Sequence, residues 1–423
     1  MASSDRINDV KVDKLDLILD SGDVVSLLDL YTTIDFYQDL FGDPLYCEIL
    51  ITDALDLYSS LPIKNNEILN VEFNSPSNNV VAKKLRLISK ENVILSDSGR
   101  VTTYKLGFVS EETIQNASYK VSRSYTGTLS NIVGALWSDN FGDAEPIQVE
   151  DTKNEYTMVL PYDSVFSHIF NLSKKARRKE NENSCSFMFF EDFRGFNFVS
   201  LPLLFNEDVK GYYSWELEEA SRKEDRPIGV DYESSRFRIT EIDFTGRENL
   251  LDQIQSGMYN SYVVDHDIKN KTISGSKHEY SQTFGKVEHA NGSSSFPLNI
   301  KTQIEKINVT SNVKNHFSGF YPADIMLLRQ SQVRAFTDRA IRFKSAGNSS
   351  LNVGDKIKVR FTKQNMTMLD SSADDKYRSG FYIISSIKHS IIKGEGYTVT
   401  VEASSDCYPN PIPDESSFTS SNS

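Results

Sequence analysis

Two strand-like stretches of this chain follow one plan, and that repetition constrains the fold more than any other feature. SLPIKNNEILNVEF (Ser60 to Phe73) reads as a tight turn feeding a half-buried strand. LNVGDKIKVRF (Leu351 to Phe361) repeats it with a shorter turn. Leu61 answers Leu351, Ile63 answers Val353 and Glu67 answers Asp355; Leu69, Val71 and Phe73 then answer Ile357, Val359 and Phe361. Upstream, Ile34-Asp35-Phe36, Gly42 and Asp53 are echoed by Ile242-Asp243-Phe244, Gly257 and Asp267. Downstream, Tyr104 to Phe108 is echoed by Tyr397 to Val401. One alternating strand resembles another by chance, but several echoes in the same order indicate an internal duplication.

The expected fold is mainly β with α+β parts: two similar small antiparallel β-barrels, a middle α+β domain and an insertion in the second barrel. The first barrel is assigned to residues 1–110 and the middle domain with its linker to 111–230. The second barrel takes 231–284 and 337–408, interrupted by an insertion with a helix at 285–336, and 409–423 reads as a disordered tail. The insertion follows from spacing: Asp53 and Leu61 are 8 positions apart, whereas Asp267 and Leu351 are 84 apart. In the middle domain, Ser110 reads as an N-cap, and Ile132, Val133, Leu136 and Trp137 share a helical face. Asp163-Ser164 opens a helix turning Val165, Phe166, Ile169, Phe170 and Leu172 inward. An aromatic hairpin turns at Arg194-Gly195, and Ile391 to Tyr397 reads as another hairpin.

At 423 residues with 25 Phe and 20 Tyr the chain can furnish several cores. A net charge of -13 argues against a generally basic nucleic-acid binder. Cys47, Cys185 and Cys407 share no metal-type spacing and cannot all pair within one chain, which fits synthesis in a reducing environment. No export signal or apolar span is read, so no membrane insertion is expected. The seven N-x-[ST] sequons are read as chance in an Asn- and Ser-rich chain.

The chain offers no catalytic constellation. Phosphate-binding glycine motifs and the G-x-S-x-G elbow are absent, and His278-Glu279 fails as H-E-x-x-H because position 282 is Gln282. Asp265-His266-Asp267, with His278, is the best metal candidate, against a reading of Asp267 as a turn former. Glu191-Asp192, Glu218-Glu219 and Asp374-Asp375 are read as loop acids rather than a facing catalytic pair. His389 is read as a satisfied strand histidine. The run Lys174 to Lys179 is read as a solvated helix end, the alternative being contact with an acidic partner. Catalytic, cofactor and metal residues are therefore all expected to be absent.

The stretch IDFYQDLFGDPLYCEILITDALDLYSSLPIKNNEILNVEF resembles the first barrel of the central hub subunit in contractile-tailed phage baseplates. FVSEETIQNASYKVSRSYTGTLSNIV is similar to the segment after that barrel, and GMYNSYVVDHDIKNK, AIRFKSAGNSSLNVGDKIKVRF and SGFYIISSIKHSI resemble its second barrel. The amino-terminal part of type VI secretion spike proteins of the VgrG family looks similar. The resemblance implies a non-enzymatic virion protein, made in the host cytoplasm and without a bound cofactor or metal. It implies a homotrimer whose six barrels face a sixfold tail tube or tube initiator. A trimeric cell-puncturing spike holds the threefold face and wedge proteins lie around it. DNA passes through without sequence-specific binding. Two other classes stay open: a glycan-related protein using aromatics near Tyr212, Tyr213 and Trp215, and a DNA-end or chaperone-type binder using Lys174 to Lys179.

Overall fold

In the computed structural model the strand at the centre of the first echo, β5, alternates as its sequence requires, with Leu69, Val71 and Phe73 buried. The structure describes residues 8–42, 44–54, 57, 63–75, 80–95, 101–142, 146–215, 237–246, 249–291, 308–313, 323–362 and 374–409. The first module comprises β1 (Lys11–Ile18), β2 (Val24–Ser26), β3 (Tyr31–Asp39), β4 (Tyr46–Asp53), β5 (Ile68–Asn74), β6 (Val80–Leu95) and β7 (Thr102–Val109). Every ladder among them is antiparallel, in the spatial order β3-β4-β7-β6-β5-β1-β2.

The middle region comprises α1 (Glu111–Ser118), β8 (Ser124–Thr128), α2 (Leu129–Phe141), β9 (Gln148–Val149), β10 (Glu155–Val159) and α3 (Val165–Ser173). It continues through β11 (Phe187–Asp192), β12 (Gly195–Ser200), α4 (Leu201–Asn206) and β13 (Gly211–Trp215). The Thr128 side chain caps α2 and Ser164 caps α3. The expected inward faces pack into one cluster in which Ile132, Val133, Leu136 and Trp137 meet Val165, Ile169 and Leu172. Phe170 does not join them; its ring lies outside under the Lys174 ammonium, 4.2 Å from the centroid. Ser110 makes no side-chain cap to α1.

The remainder comprises β14 (Ile239–Asp243), α5 (Leu250–Gln255), β15 (Asn260–Asp267), β16 (Thr272–Glu279), α6 (Tyr280–Thr283), β17 (Asn308–Val313) and α7 (Ala323–Asp338). Then come β18 (Ala340–Ala346), β19 (Lys356–Phe361), β20 (Gly380–Ile392) and β21 (Gly396–Ser404). Their ladders run β14-β18-β21-β20-β19-β13. That order repeats β3-β4-β7-β6-β5-β1 rung for rung. Leu69, Val71 and Phe73 on β5 thereby occupy the place of Ile357, Val359 and Phe361 on β19, all buried in one shared core.

Three details differ from the sequence reading. Among the described residues neither module forms a closed barrel; β3 pairs with β20 and fuses both into one thirteen-stranded sheet. The second module comes nearest to closure, through one parallel bridge between Ser214 and Arg238. The Gly257 and Asp267 echo fails, because β15 pairs with β16 and β17 in a separate sheet and β18 fills the rung of β4. The second module is thus interrupted between β14 and β18, and β15 and β16, expected in the barrel, lie in the interruption. Finally, β13 is drawn from the segment assigned to the middle domain, and it pairs with β19 in parallel. The linker proper and the tail beyond residue 409 lie outside the described residues.

Candidate functional site: the joint between the modules

The two modules meet along β3 and β20, where Phe36 is opposite His389 and Asp35 is opposite Ser390. Asp35 accepts from the Ser390 hydroxyl at 2.6 Å and pairs with the Lys388 ammonium at 2.9 Å. Gln38 spans to the second module twice: its Nε2 donates to Asn352 Oδ1 at 3.2 Å, and its Oε1 accepts from the Val353 amide at 3.0 Å. Lys393 donates to the carbonyls of Leu28 and Asp29. A ladder backed by buried contacts from Asp35 and Gln38, with more exposed lysine contacts beside them, holds the register of the joint, although His389 Nε2 is buried there without a hydrogen-bond partner.

The middle region plugs this joint. At the tip of the β11–β12 hairpin, Phe193 packs edge-on against Phe36 at 5.4 Å and Phe73 at 6.2 Å, and lies 4.9 Å from the His389 ring. Its amide donates to Asn352 Oδ1 at 3.2 Å. Beside it, Arg194 binds Asp192 and reaches Asp355 of the second module at 3.2 Å. The sequence located this turn, but not its destination; only the aromatic-plus-arginine tip hinted at a docking role.

The paired turn acids of the two echoes do the same work. Glu67 accepts from the amides of Lys64 and Asn66 at 2.6 and 3.0 Å, and its carbonyl accepts from Leu87 on β6. Asp355 accepts from the Asn352 amide at 2.8 Å, and its carbonyl accepts from Ile384 on β20. In both, a buried acid closes the turn by bonding an amide three residues earlier. Burial pushes Asp355 up to about 6, although Arg194 opposes it.

The chemical candidates resolve into structural roles. Asp267 accepts from the amide and side chain of Asn270, closing the β15–β16 turn. Asp265 and Asp267 do share the buried side of β15, but His278 stands opposite Ser261, four positions along the ladder from Asp265. At about 3.3 Å per residue this is too far for a shared ion. Glu191 and Asp192 are both buried and point apart: Asp192 closes the hairpin turn, while Glu191 Oε2 accepts from the Leu45 amide and the Ser110 hydroxyl, both at 3.0 Å. That contact explains why Ser110 does not cap α1. Burial pushes Glu191 up to about 8. It lines a cleft of about 680 Å³ with Lys83, Glu112 and Tyr119, in which Glu111 is taken by Arg86. Asp374 pairs with Arg360, Asp375 closes a turn, and Glu218-Glu219 lies outside the described residues. His389 is buried and neutral, pushed down to about 3, with Nδ1 on the Tyr397 hydroxyl at 2.7 Å.

The basic run is a solvated helix end only in part: Lys174 and Lys175 are exposed where α3 closes, whereas Arg177 and Arg178 turn inward. Arg178 is about 5% exposed and donates to Glu150 at 2.6 Å and Glu288 at 3.0 Å. Arg177 pairs with Asp324 at the start of α7, and Lys179 with Asp151. Arg177 and Arg178 join the middle region to the insertion, so the two arginines of the run are not offered to phosphate. The sugar-stacking set dissolves too: Tyr213 is buried against Phe237 and Phe343, Trp215 packs on the core, and Tyr212 alone is exposed. All three cysteines are free and buried.

No family model matches the chain. The chain is 22% identical over 408 residues, 90% of each sequence, to the probable baseplate hub protein gp334 of Vibrio phage KVP40. Its fold matches the tail protein of Neisseria meningitidis MC58 with a TM-score of 0.55 at 8% identity, covering 94% of this chain and 97% of that one. It also matches the 43 kDa tail protein of prophage MuSo2 from Shewanella oneidensis, with a TM-score of 0.54 at 10% identity over 92% and 97%. The chain resembles phage baseplate hub and tail proteins. These matches cover nine-tenths or more of this chain.

Proposed function

We propose that this chain is the hub of a contractile-tail baseplate: a virion structural protein, assembling as a homotrimer that joins the sixfold tail tube to the trimeric cell-puncturing spike around the DNA exit channel. The observation that carries this reading is the repeated strand order, β3-β4-β7-β6-β5-β1 and then β14-β18-β21-β20-β19-β13. A chain that presents one module twice gives a threefold ring six similar elements, which a sixfold tube can meet. A joint held in register supports a part that transmits force between its modules. The likeness to a hub protein over nine-tenths of the chain supports the same assembly.

In this reading the chain has no catalytic role; among the described residues Glu191, Asp192, Asp267, Asp375 and His389 are engaged in turns, joints and cores. No helix among the described residues is long and apolar enough to cross a membrane. Its partners are the spike, the tube or tube initiator and the surrounding wedge proteins, and DNA passes without sequence-specific contact. The acidic balance of the chain keeps a lumen from holding phosphate. Native mass measurement tests the reading: the purified chain, alone or in complex with spike and tube proteins, is expected to be present as three copies of 47.9 kDa each. A monomer under all these conditions would sink it.

A further inference from the structure

A second cluster ties the insertion to the end of the second module, and neither the sequence candidates nor the hub reading uses it. His289 sits between two groups that can only accept hydrogen bonds. Its Nδ1 lies 2.6 Å from Asp406 Oδ2 and its Nε2 lies 2.8 Å from the Phe284 carbonyl. Only a ring with two N–H donors, an imidazolium, satisfies both acceptors at once. The site is walled in: Phe284 stacks on the ring at 3.9 Å, and the other Asp406 oxygen accepts from the Ala290 amide at 3.1 Å. Asn291 completes the clasp, exchanging hydrogen bonds with Phe381 at the start of β20 and bonding Ser405 just beyond β21.

We propose that residues 284–291 are a proton-held strap, which clasps the insertion to the end of β21 while His289 is a cation and loosens when it is neutralised. A neutral ring must turn one lone pair toward an oxygen, which exchanges an attraction for a repulsion inside a buried site. The charged groups facing the ring favour this sense. Burial is the largest single influence and opposes the charge, but Asp406, the Phe284 carbonyl and Glu288 together outweigh it, so the net shift is upward. Around them, Arg178 pairs with Glu288, Arg339 donates to the Cys407 carbonyl, and Tyr280 and Cys407 are buried and neutral with their pKa values raised. A raised histidine stabilises below its unfolded value and loses that contribution as pH climbs through its folded value.

His289, Asp406 and Cys407 also stand close enough to suggest a metal site. The short contact between Nδ1 and the carboxylate argues for a shared proton instead, since a ligating nitrogen must offer its lone pair.

The test reads Cys407, buried beneath the strap, by peptide-resolved thiol labelling of the folded full-length protein. At about pH 6, His289→Gln is expected to label Cys407 at least tenfold faster than wild type, with Cys47 unchanged. By about pH 9 the two rates converge, because the wild-type strap has loosened. A variant-to-wild-type ratio that stays constant across pH overturns the proposal. Should the variant lose its fold, shown by faster labelling of Cys47 as well, the wild-type ring decides by nitrogen NMR. Two protonated nitrogens at neutral pH, unchanged by added zinc ion, are expected. A neutral tautomer there, or a zinc-dependent shift, overturns it.

Discussion

The two modules share a ladder order yet are finished differently. The first supplies its own outer strands, β1 and β2, from the chain start, and joins β3 to β4 in a few residues. The second borrows β13 from the middle region and opens between β14 and β18 to admit an insertion. The set of buried alternations is preserved, and so is the acid that closes the turn before β5 and β19. The edge and one connection vary. Edges and connections change at little cost because few buried contacts depend on them, whereas a shifted register would turn every core side chain outward.

The comparison breaks most visibly where the insertion is anchored. Arg178→Met leaves the buried Glu150 and the half-buried Glu288 without their cation, and is expected to cost about 3–5 kcal/mol in urea denaturation. The structural equivalents come next. Phe73→Ala is expected to cost about 3–5 kcal/mol, and Phe361→Ala less, because Phe73 also packs against Phe36, Phe193 and Tyr397 at the joint while Phe361 meets Phe244. A larger loss at Phe361 would overturn the placing of the joint as the shared centre.

The turn acids sharpen the comparison through pH. Asp355 is raised to about 6 in the folded state, so the fold binds the extra proton and loses stability as pH rises from about 4 to about 6. Asp355→Asn should therefore gain on wild type across that window in thermal melts. Glu191 is raised to about 8, and Glu191→Gln should gain on wild type from about pH 4.5 to about pH 8. Flat differences would mean that neither acid is held protonated by burial. The smallest effect is expected at Arg360→Gln, whose Asp374 partner is half-exposed, with a change below about 1 kcal/mol.

Much of the local structure was legible from residues alone. Alternation placed β5, β19 and β21, a cap residue opened α3, and glycine-bearing turns marked both hairpins. The duplication was legible as well, through echoes that the ladders bear out at β3, β5 and β7. The echo at Gly257 and Asp267 misled because a glycine turn leading into an alternating strand looks the same in any sheet. Ser110 misled for a related reason: a hydroxyl before a helix has the chemistry of a cap, and only the arrival of Glu191 decided otherwise. At the candidate site, the acid turn pair could be read in advance, and the plug formed by Phe193 and Arg194 could not.

The sequence by itself determined periodicity, turn chemistry and the repeated plan, since each depends on neighbours a few positions apart. Tertiary structure alone decided that β3 pairs with β20, although Asp35 and Ser390 are 355 positions apart. It also decided that β15 leaves the main sheet, that Arg178 is buried rather than solvated, and that His289 lies between the Asp406 carboxylate and the Phe284 carbonyl. In each case the deciding partner is distant along the chain. The energy comes from burial and from satisfying polar groups away from water, which no local pattern encodes.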